Sequence, residues 1–335
     1  MPFSIDIKED EIKSWGHEIL ETLLLDRTTG ENIIWATDDY ASLGDDYTFF
    51  HHITPELITG EHKDVIQPRV VKSEEEKKQR TRKMAEVFTP SWLCNDMNNG
   101  VDESWFKRKP VFNVVTTENG KHLWTPTTEK VEFPEGKTWQ EYVSMGVIEI
   151  TCGEAPFLAS RYDTVTGEAI IDLSKRVGWL DRKLRIVNEN TTSREDWIYW
   201  TKMAYKGTLG FEWQGDNLLI ARENLLLSLF DYYENHFGEK PAIELVKEIA
   251  DIISWNIFQM DGLKFVIPRS CHSKVVETRD LISGEIIRKE IPCEGCKKQL
   301  IHEHNGIYVK MMDWDTDQPI YFHMYNGLAE IKKLR

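Results

Sequence analysis

Two spacings of apolar residues organise this chain. Over residues 9–25 the apolar positions recur every three to four residues, which predicts one amphipathic helix that ends at the turn of residues 28–30. Its apolar stripe consists of Ile12, Trp15, Ile19, Leu20, Leu23 and Leu24. Residues 72–86 predict a charged helix. Residues 100–140 are rich in Asn, Thr, Glu, Gly and Pro, which predicts an irregular segment with room for a hairpin.

From residue 147 onward, short apolar runs alternate with stretches of helical spacing. The short runs predict strands at residues 147–151, 184–188, 209–213 and 256–260. The helical spacing predicts amphipathic helices at residues 217–236 and 241–254. Strands that alternate with helices are typical of a parallel sheet with covered faces, so the predicted fold class is α/β.

The charge balance limits the partners of the chain. Its 335 residues carry a net charge of -15. Proteins that coat nucleic acids do so by neutralising phosphates, so any contact with DNA must be local. Two basic clusters offer such a contact: Arg69, Lys72, Lys77, Lys78, Arg80, Arg82 and Lys83, and then Lys107, Arg108 and Lys109. Three glutamates at residues 74–76 interrupt the first cluster, which favours a solvated helix face.

Neither end of the chain nor its cysteine content indicates export or a membrane. No apolar run approaches the roughly 18 residues of a membrane span, and the N-terminus lacks the pattern of a signal peptide. The chain contains five cysteines, of which only Cys293 and Cys296 lie close together. These features predict a cytoplasmic protein without a membrane partner, whose thiols are reduced or bind a metal.

The candidate chemistry begins where the first predicted strand ends. Ligands of open parallel sheets bind at the carboxyl ends of the strands, where a glycine lets a cofactor approach the backbone. The segment Glu149–Leu158 places Gly153 directly after a strand, and Phe157 is expected to open the next helix. A single glycine of this kind is common, so further residues must support the site.

Two later strands also end in a carboxylate. Glu212 lies at the end of the run at 209–213, where it is suited to the two hydroxyls of a ribose. Asp261 follows the run at 256–260, where it can accept a hydrogen bond from an adenine amino group. Together with Gly153 these side chains predict one cofactor pocket. The alternative is an unrelated α/β protein with acids and glycines at its strand ends.

Four segments of the chain look like motifs of a known family. Residues 86–90, EVFTP, look like an N-terminal (G/E)xFxTP cofactor motif, and ITCGEAPFL looks like the first core motif that follows it. GFEWQGDNLLIARENL and FQMDGL look like the second and third core motifs, in the same order. With these motifs the chain resembles the γ-type adenine-N6 DNA methyltransferases, particularly modification subunits of restriction-modification systems from bacteria and phages.

The resemblance implies a Rossmann-like class I methyltransferase fold that binds S-adenosylmethionine. It assigns Phe88, Thr89 and Pro90 to the methionine moiety. It assigns Glu212, with Trp213 beside it, to the ribose, and Asp261, with Gly262 beside it, to the adenine. The residues that it implies wrap the cofactor after the first strand are Glu149, Thr151, Cys152, Gly153 and Ala155.

The chain departs from the family pattern at three places. Ala155 stands where the family has glycine. The first and second core motifs lie more than 50 residues apart, which predicts that residues 163–208 are an insertion facing DNA or a partner. Methylation of a flipped base uses an Asn/Asp-Pro-Pro-aromatic loop in this family. Residues 262–335 contain none, and the nearest string, at residues 324–327, is MYNG.

A second candidate site follows the third motif. Cys293 and Cys296 form a Cys-x2-Cys turn, and two thiolates on such a turn need only two further ligands to close a tetrahedral zinc site. Cys271 and His304 are the favoured additional ligands, with His302 or His272 as substitutes for the histidine. Such a site would be structural. Free thiols or a redox pair at 293 and 296 are the alternatives.

These features predict four regions: residues 1–140 with the EVFTP motif and mainly helices, 141–268 as the cofactor-binding core, 269–310 as a zinc-binding insertion, and 311–335 as a C-terminal strand or tail of the core. The predicted function is an adenine-N6 DNA methyltransferase-like subunit that is incomplete for catalysis alone, and whose catalytic loop either comes from another polypeptide in a hetero-oligomer or is present in a divergent form. The alternative is a non-catalytic subunit that senses the cofactor or recognises DNA.

A nuclease site near Glu56 and Glu61 is a weaker hypothesis, since its spacing is common by chance.

Overall fold

Helices and short strands alternate along the chain, whose structure is a computed structural model that describes residues 5–6, 8–84, 87–279 and 286–325. Over these residues the helices are α1 (Glu9–Trp15), α2 (His17–Leu24), α3 (Pro55–Ile58), α4 (Glu74–Met84), α5 (Ser91–Phe106), α6 (Trp139–Ser144), α7 (Trp179–Asn190), α8 (Arg194–Lys206), α9 (Gly215–Phe237), α10 (Ile243–Asn256) and α11 (Glu294–Lys298). The strands are β1 (Asn113–Glu118), β2 (Lys121–Pro126), β3 (Val147–Ile150), β4 (Thr208–Glu212), β5 (Ile257–Gln259), β6 (Lys274–Arg279), β7 (Ile286–Ile291), β8 (Lys310–Asp313) and β9 (Gln318–Tyr321).

A three-stranded parallel sheet of order β3-β4-β5 lies at the centre of the fold. Phe211 of β4 lies beside Ile150 of β3 on one side and beside Phe258 of β5 on the other. Strands β4 and β5 are buried along their whole length, as is typical of parallel strands that are covered on both faces. The α/β class and three of the four predicted strands are therefore confirmed.

The fourth predicted strand is wrong, because residues 184–188 belong to α7. Leu180, Leu184 and Val187 are fully buried at helical spacing. The helix is capped at Gly178, whose N–H donates to the Asp181 carboxylate at 3.1 Å. A short apolar run does not by itself distinguish a buried helix from a strand.

The segment predicted as an insertion, residues 163–208, contains the crossover from β3 to β4. Its two helices, α7 and α8, pack against each other and against the helices around the sheet. Trp197 of α8 is fully buried in the main core. Helices α7 and α8 therefore help to build the core, and the contact of residues 163–208 with DNA or a partner stays a prediction.

Outside the sheet, the helix predicted over 9–25 is two helices, because the backbone is extended at Gly16 between α1 and α2. The predicted charged helix is present as α4, and the irregular segment carries the β1–β2 hairpin.

Among the described residues, no helix combines the length and the apolar character that crossing a membrane requires.

The two faces of the sheet contact different hydrophobic clusters. The larger cluster contains the buried faces of α9 and α10. The smaller one joins Phe211 and Phe258 to Ile34 and Phe49 from the N-terminal region and to Phe322, which follows β9. In the described part of the chain, strands β8 and β9 pair only with each other and form a separate hairpin that packs on the sheet rather than extending it. The part of the predicted C-terminal tail at 326–335 lies outside the described residues.

A buried ion pair connects three helices of the larger cluster. The Arg182 guanidinium of α7 contacts the Asp102 carboxylate of α5, and both side chains are 1% exposed. Tyr142 of α6 donates to the same carboxylate at 2.7 Å, and Arg182 also donates to Asn95 at 3.0 Å. Because every charge in this group has a partner, the helices are held together without an unpaired ion in the core.

Asp102→Ala should lower the free energy of unfolding by about 3–5 kcal/mol, because it leaves the Arg182 charge buried without its carboxylate. The control is Lys109→Ala, which removes an ion pair with Glu103 at 3.6 Å whose lysine is 76% exposed. This change should cost no more than about 1 kcal/mol. Urea denaturation of the two variants measures the difference, and equal costs would show that the buried pair does not hold the helices.

The Lys183 side chain is fully buried close to where β3 and β4 begin. Its Nζ donates to the carbonyls of Met145 at 2.6 Å and Gly207 at 2.9 Å, just before β3 and β4 begin. Burial lowers the pKa of Lys183 from its ordinary value of 10.5 to about 7. The folded chain therefore releases this proton at a lower pH than the unfolded chain does.

Raising the pH from 7.5 to 9.5 should stabilise the wild type relative to Lys183→Met by about 2 kcal/mol, because the unfolded state binds the extra proton in this window. The comparison with Lys183→Met cancels the titration of the cysteines, which is common to both proteins. Denaturation at several pH values measures the effect. Two parallel stability profiles would mean that Lys183 keeps an ordinary pKa in the folded protein.

Candidate functional site

A cavity of about 480 Å³ opens at the carboxyl ends of β3 and β4. Eight of the twelve residues that the sequence assigned to the cofactor line it: Phe88, Thr89, Glu149, Thr151, Cys152, Gly153, Glu212 and Trp213. The remaining lining residues are Val87, Ile150, Pro156, Phe157, Gln214 and Asn217. Residues from three distant parts of the sequence thus meet at the edge of the sheet where open α/β folds bind ligands.

A hydrogen bond between Glu212 and Gly153 shapes this cavity. The backbone N–H of Gly153 donates to Glu212 Oε2 at 2.8 Å, and the N–H of Gln214 donates to Oε1 of the same carboxylate at 3.2 Å. The turn after β3 is therefore fixed to the end of β4. Gly153 has a φ of +55°, and a Cβ at this position would lie 3.2 Å from the ring of Phe88. Glycine suits this position for two reasons: the backbone has a positive φ, and a side chain would press against the Phe88 ring.

The turn that follows β3 is more irregular than the sequence predicts. Phe157 and Leu158 lie in turns and do not open a helix, and the next α-helix along the chain is α7. Thr151 and Ala155 have φ values of +50° and +60°. Ala155 therefore adopts a left-handed conformation that glycine adopts more easily.

The floor of the cavity is acidic. Burial raises the pKa of the Glu149 carboxyl well above its ordinary value, and it also raises the pKa of Glu212. Glu149 Oε2 is buried, and no residue that the structure describes forms a hydrogen bond with it. Burial likewise raises the pKa of the Cys152 thiol, which disfavours a thiolate nucleophile. The described residues that line the cavity include no lysine or arginine.

Four of the predicted cofactor residues lie outside the cavity lining. Ala155 is fully buried beneath the turn, and Pro90 precedes the first residue of α5. The Asp261 carboxylate accepts the N–H of Leu263 at 3.0 Å and lies 3.4 Å from the Lys264 amine. At Gly262 a Cβ would lie 2.6 Å from the ring of Phe211. The assignment of Asp261 and Gly262 to an adenine therefore stays a prediction.

Two lining residues that the sequence analysis missed, Gln214 and Asn217, are held by a buried charge cluster. The Arg80 guanidinium donates to Gln214 Oε1 at 3.2 Å and lies 2.9 Å from Asp216 Oδ2. Lys72 approaches the same oxygen at 3.1 Å. The two cations hold the pKa of Asp216 well below its usual range. The sequence could have predicted Gln214 and Asn217 as lining residues from their short spacing after Glu212.

The same cluster corrects the interpretation of the first basic region as a solvated helix face for two of its residues, whereas Lys78 and Arg82 are exposed as that interpretation predicts. Lys72 and Arg80 are 8% and 3% exposed and are directed into the protein, where Asp216 neutralises them. Neither side chain is available to DNA phosphates. In the second basic region, Lys109 is exposed and Arg108 donates to the Glu132 carbonyl at 2.9 Å.

The four residues predicted to bind zinc also lie close together in the structure. Cys271, Cys293, Cys296 and His304 place their ligand atoms within 4.8 Å of one another, and this group can hold a metal ion. His302 and His272 are not members of it. Within the parts of the chain that the structure describes, no such group includes Glu56 or Glu61, so nothing in them supports a nuclease site.

Comparison with known proteins does not assign the chain to a family. Neither protein-family models, nor curated proteins, nor solved structures match it.

Proposed function

We propose that this chain binds S-adenosylmethionine in the cavity at the ends of β3 and β4. The observation that carries the proposal is the pairing of an acidic floor with a lining that contains no described basic residue. S-Adenosylmethionine carries a sulfonium and an ammonium against a single carboxylate, and no phosphate, so its net positive charge suits this lining. The volume of about 480 Å³ lies within the roughly 300–1,000 Å³ that is typical of small-molecule sites.

The lining argues against the phosphate-bearing cofactors that similar sheets bind. Dinucleotides place their pyrophosphate at the N-terminus of a helix directly after the first glycine turn. Here residues 151–160 form turns and bends, so no helix begins there. The described lining residues also include no lysine or arginine that could neutralise a phosphate. A phosphate-free adenosine derivative with positive charge fits better.

The geometry suggests a role for each carboxyl group. Glu149 Oε2, which has no hydrogen-bond partner among the described residues, can accept a hydrogen bond from the ammonium of the methionine moiety. Glu212 already orders the Gly153 turn and lies where ribose hydroxyls are held in comparable folds. Phe88 offers an apolar surface beside Gly153. Contact between Asp261 and the adenine would require the ligand to extend beyond the cavity lining.

The sheet supports a Rossmann-like methyltransferase fold in part. Its consecutive strands lie side by side in the order β3-β4-β5, as the first three strands of a doubly wound sheet do. In such sheets the second half pairs with the free edge of the first strand, next to the ligand. Among the described residues β3 pairs with β4 alone, and Ile150 at its end is 52% exposed.

From the four motif-like segments, the cavity and this free edge together, we infer an adenine-N6 DNA methyltransferase-like subunit of a restriction-modification or phage-defence system that is incomplete for catalysis alone. A partner polypeptide would pair with β3 and supply the base-binding loop and part of the DNA contact. The second candidate, a non-catalytic subunit that senses the cofactor or recognises DNA, is favoured by the lack of an Asn/Asp-Pro-Pro-aromatic string in residues 262–335. Transfer of a labelled methyl group to DNA by the chain alone would exclude both versions.

Isothermal titration of the chain with S-adenosylmethionine should show binding that Glu149→Gln weakens about tenfold to a hundredfold, since a hydrogen bond between charged groups contributes roughly 1.5–3 kcal/mol. The matched control is Glu118→Gln, which makes the same change on the exposed β1 strand and should leave the affinity unchanged. No binding by a folded wild-type chain would overturn the cofactor proposal.

The same titration has a second readout. Because burial raises the pKa of Glu149, binding of a cation beside it should release a proton from the wild type and not from Glu149→Gln. Titrations in buffers of different ionisation enthalpy measure this release. An equal release by both proteins would remove Glu149 from the binding site.

A further inference from the structure

We propose that Cys271, Cys293, Cys296 and His304 bind one zinc ion, and that this ion holds together the loop-rich region between residues 269 and 308. The proposal is independent of the cofactor cavity. It rests on the geometry of the four side chains, on two glycines that let them approach, and on the lack of a hydrophobic core around them in the described part of this region.

The distances within the cluster match a tetrahedral site. His304 Nδ1 lies 3.5 Å from the sulfur of Cys271, 3.7 Å from that of Cys293 and 3.6 Å from that of Cys296. Zinc bonds of about 2.3 Å to sulfur and 2.0–2.1 Å to nitrogen at the tetrahedral angle separate the two ligand atoms by about 3.6 Å. One imidazole nitrogen cannot hydrogen-bond to three thiols at once. A shared cation explains the three similar distances.

The backbone around the cluster has little room for side chains. At Gly295, inside the Cys-x2-Cys turn, a Cβ would lie 2.6 Å from the backbone nitrogen of His304. At Gly306 a Cβ would lie 3.0 Å from the sulfur of Cys271. The N–H of Asn305 donates to the Cys293 sulfur at 3.3 Å, as is suitable for a thiolate that binds a metal. Two glycines and an amide thus complete the surroundings of the four ligands.

The position of the ligands explains what the ion stabilises. Cys271 precedes β6 and Cys293 follows β7, so the cluster joins the two ends of that hairpin. The hairpin is exposed: Val275 and Ile286 are 65% and 63% accessible to solvent. Among the described residues from 269 to 308, the only buried hydrophobic side chain is that of Cys293. Small regions without a core of their own commonly depend on a metal.

The ion also connects this region to the parallel sheet. The backbone N–H of His304 donates to the Tyr308 hydroxyl at 2.9 Å, and Tyr308 pairs with Val266 through an isolated bridge. Val266 in turn pairs with Asp261, two residues beyond the end of β5. Four protein ligands leave no open position, so the ion is structural and takes no part in a reaction.

Elemental analysis of the purified full-length chain should find one zinc per chain. His304→Ala should lower the bound zinc by about tenfold or more, whereas His304→Cys should retain it, since four cysteine ligands also form a closed tetrahedral set. His302→Ala is the matched control, because it removes a neighbouring histidine outside the cluster and should leave the zinc content unchanged.

Removal of the metal with a chelator should make residues 269–308 sensitive to limited proteolysis, and added zinc should restore their protection. The helical circular dichroism should change little, because most of the helices lie outside this region. This test does not require any variant to fold. A chain that contains no zinc, or one whose region 269–308 resists proteolysis equally with and without zinc, would overturn the proposal whether or not the chain binds S-adenosylmethionine.

Discussion

The contact between the Glu212 carboxylate and the Gly153 amide is the constraint on which the candidate site depends. This contact joins the ends of two neighbouring parallel strands. The carboxylate accepts a hydrogen bond from a backbone N–H that the irregular turn after β3 would otherwise leave without a partner. Because the turn is fixed in this way, Gly153 can lie under Phe88, and the cavity forms between three segments that are far apart in sequence. Loss of the carboxylate would affect the shape of the cavity as well as its charge.

Much of this site could be predicted because its residues follow buried strands. Gly153 and Glu212 come directly after short apolar runs, and the carboxyl ends of parallel strands meet at one edge. Residues 184–188 were misassigned because the run LRIVN has the composition of a strand, and only tertiary packing shows that Leu184 and Val187 face a helical core. The cysteines were predictable for a different reason: a Cys-x2-Cys turn fixes two ligands by sequence alone.

Interactions between distant charges could not be predicted from the sequence. Nothing in the order of residues indicates that Lys72 and Arg80 lie against Asp216, more than 130 positions later, so the local charge pattern alone favoured a solvated face. The same is true of Asp102 and Arg182. Such ion pairs form through the packing of the helices. They determine which charged side chains remain available to a binding partner. An acidic cavity and a sheet edge that lacks a partner among the described residues both remain accessible.

The most direct test of this account is a crystal structure of the chain grown with S-adenosylhomocysteine, the demethylated form of the proposed cofactor. The account predicts that the ligand lies in the cavity, with its ribose near Glu212 and its amino group near Glu149. A ligand bound elsewhere, or a cavity that holds only water at a saturating ligand concentration, would contradict it.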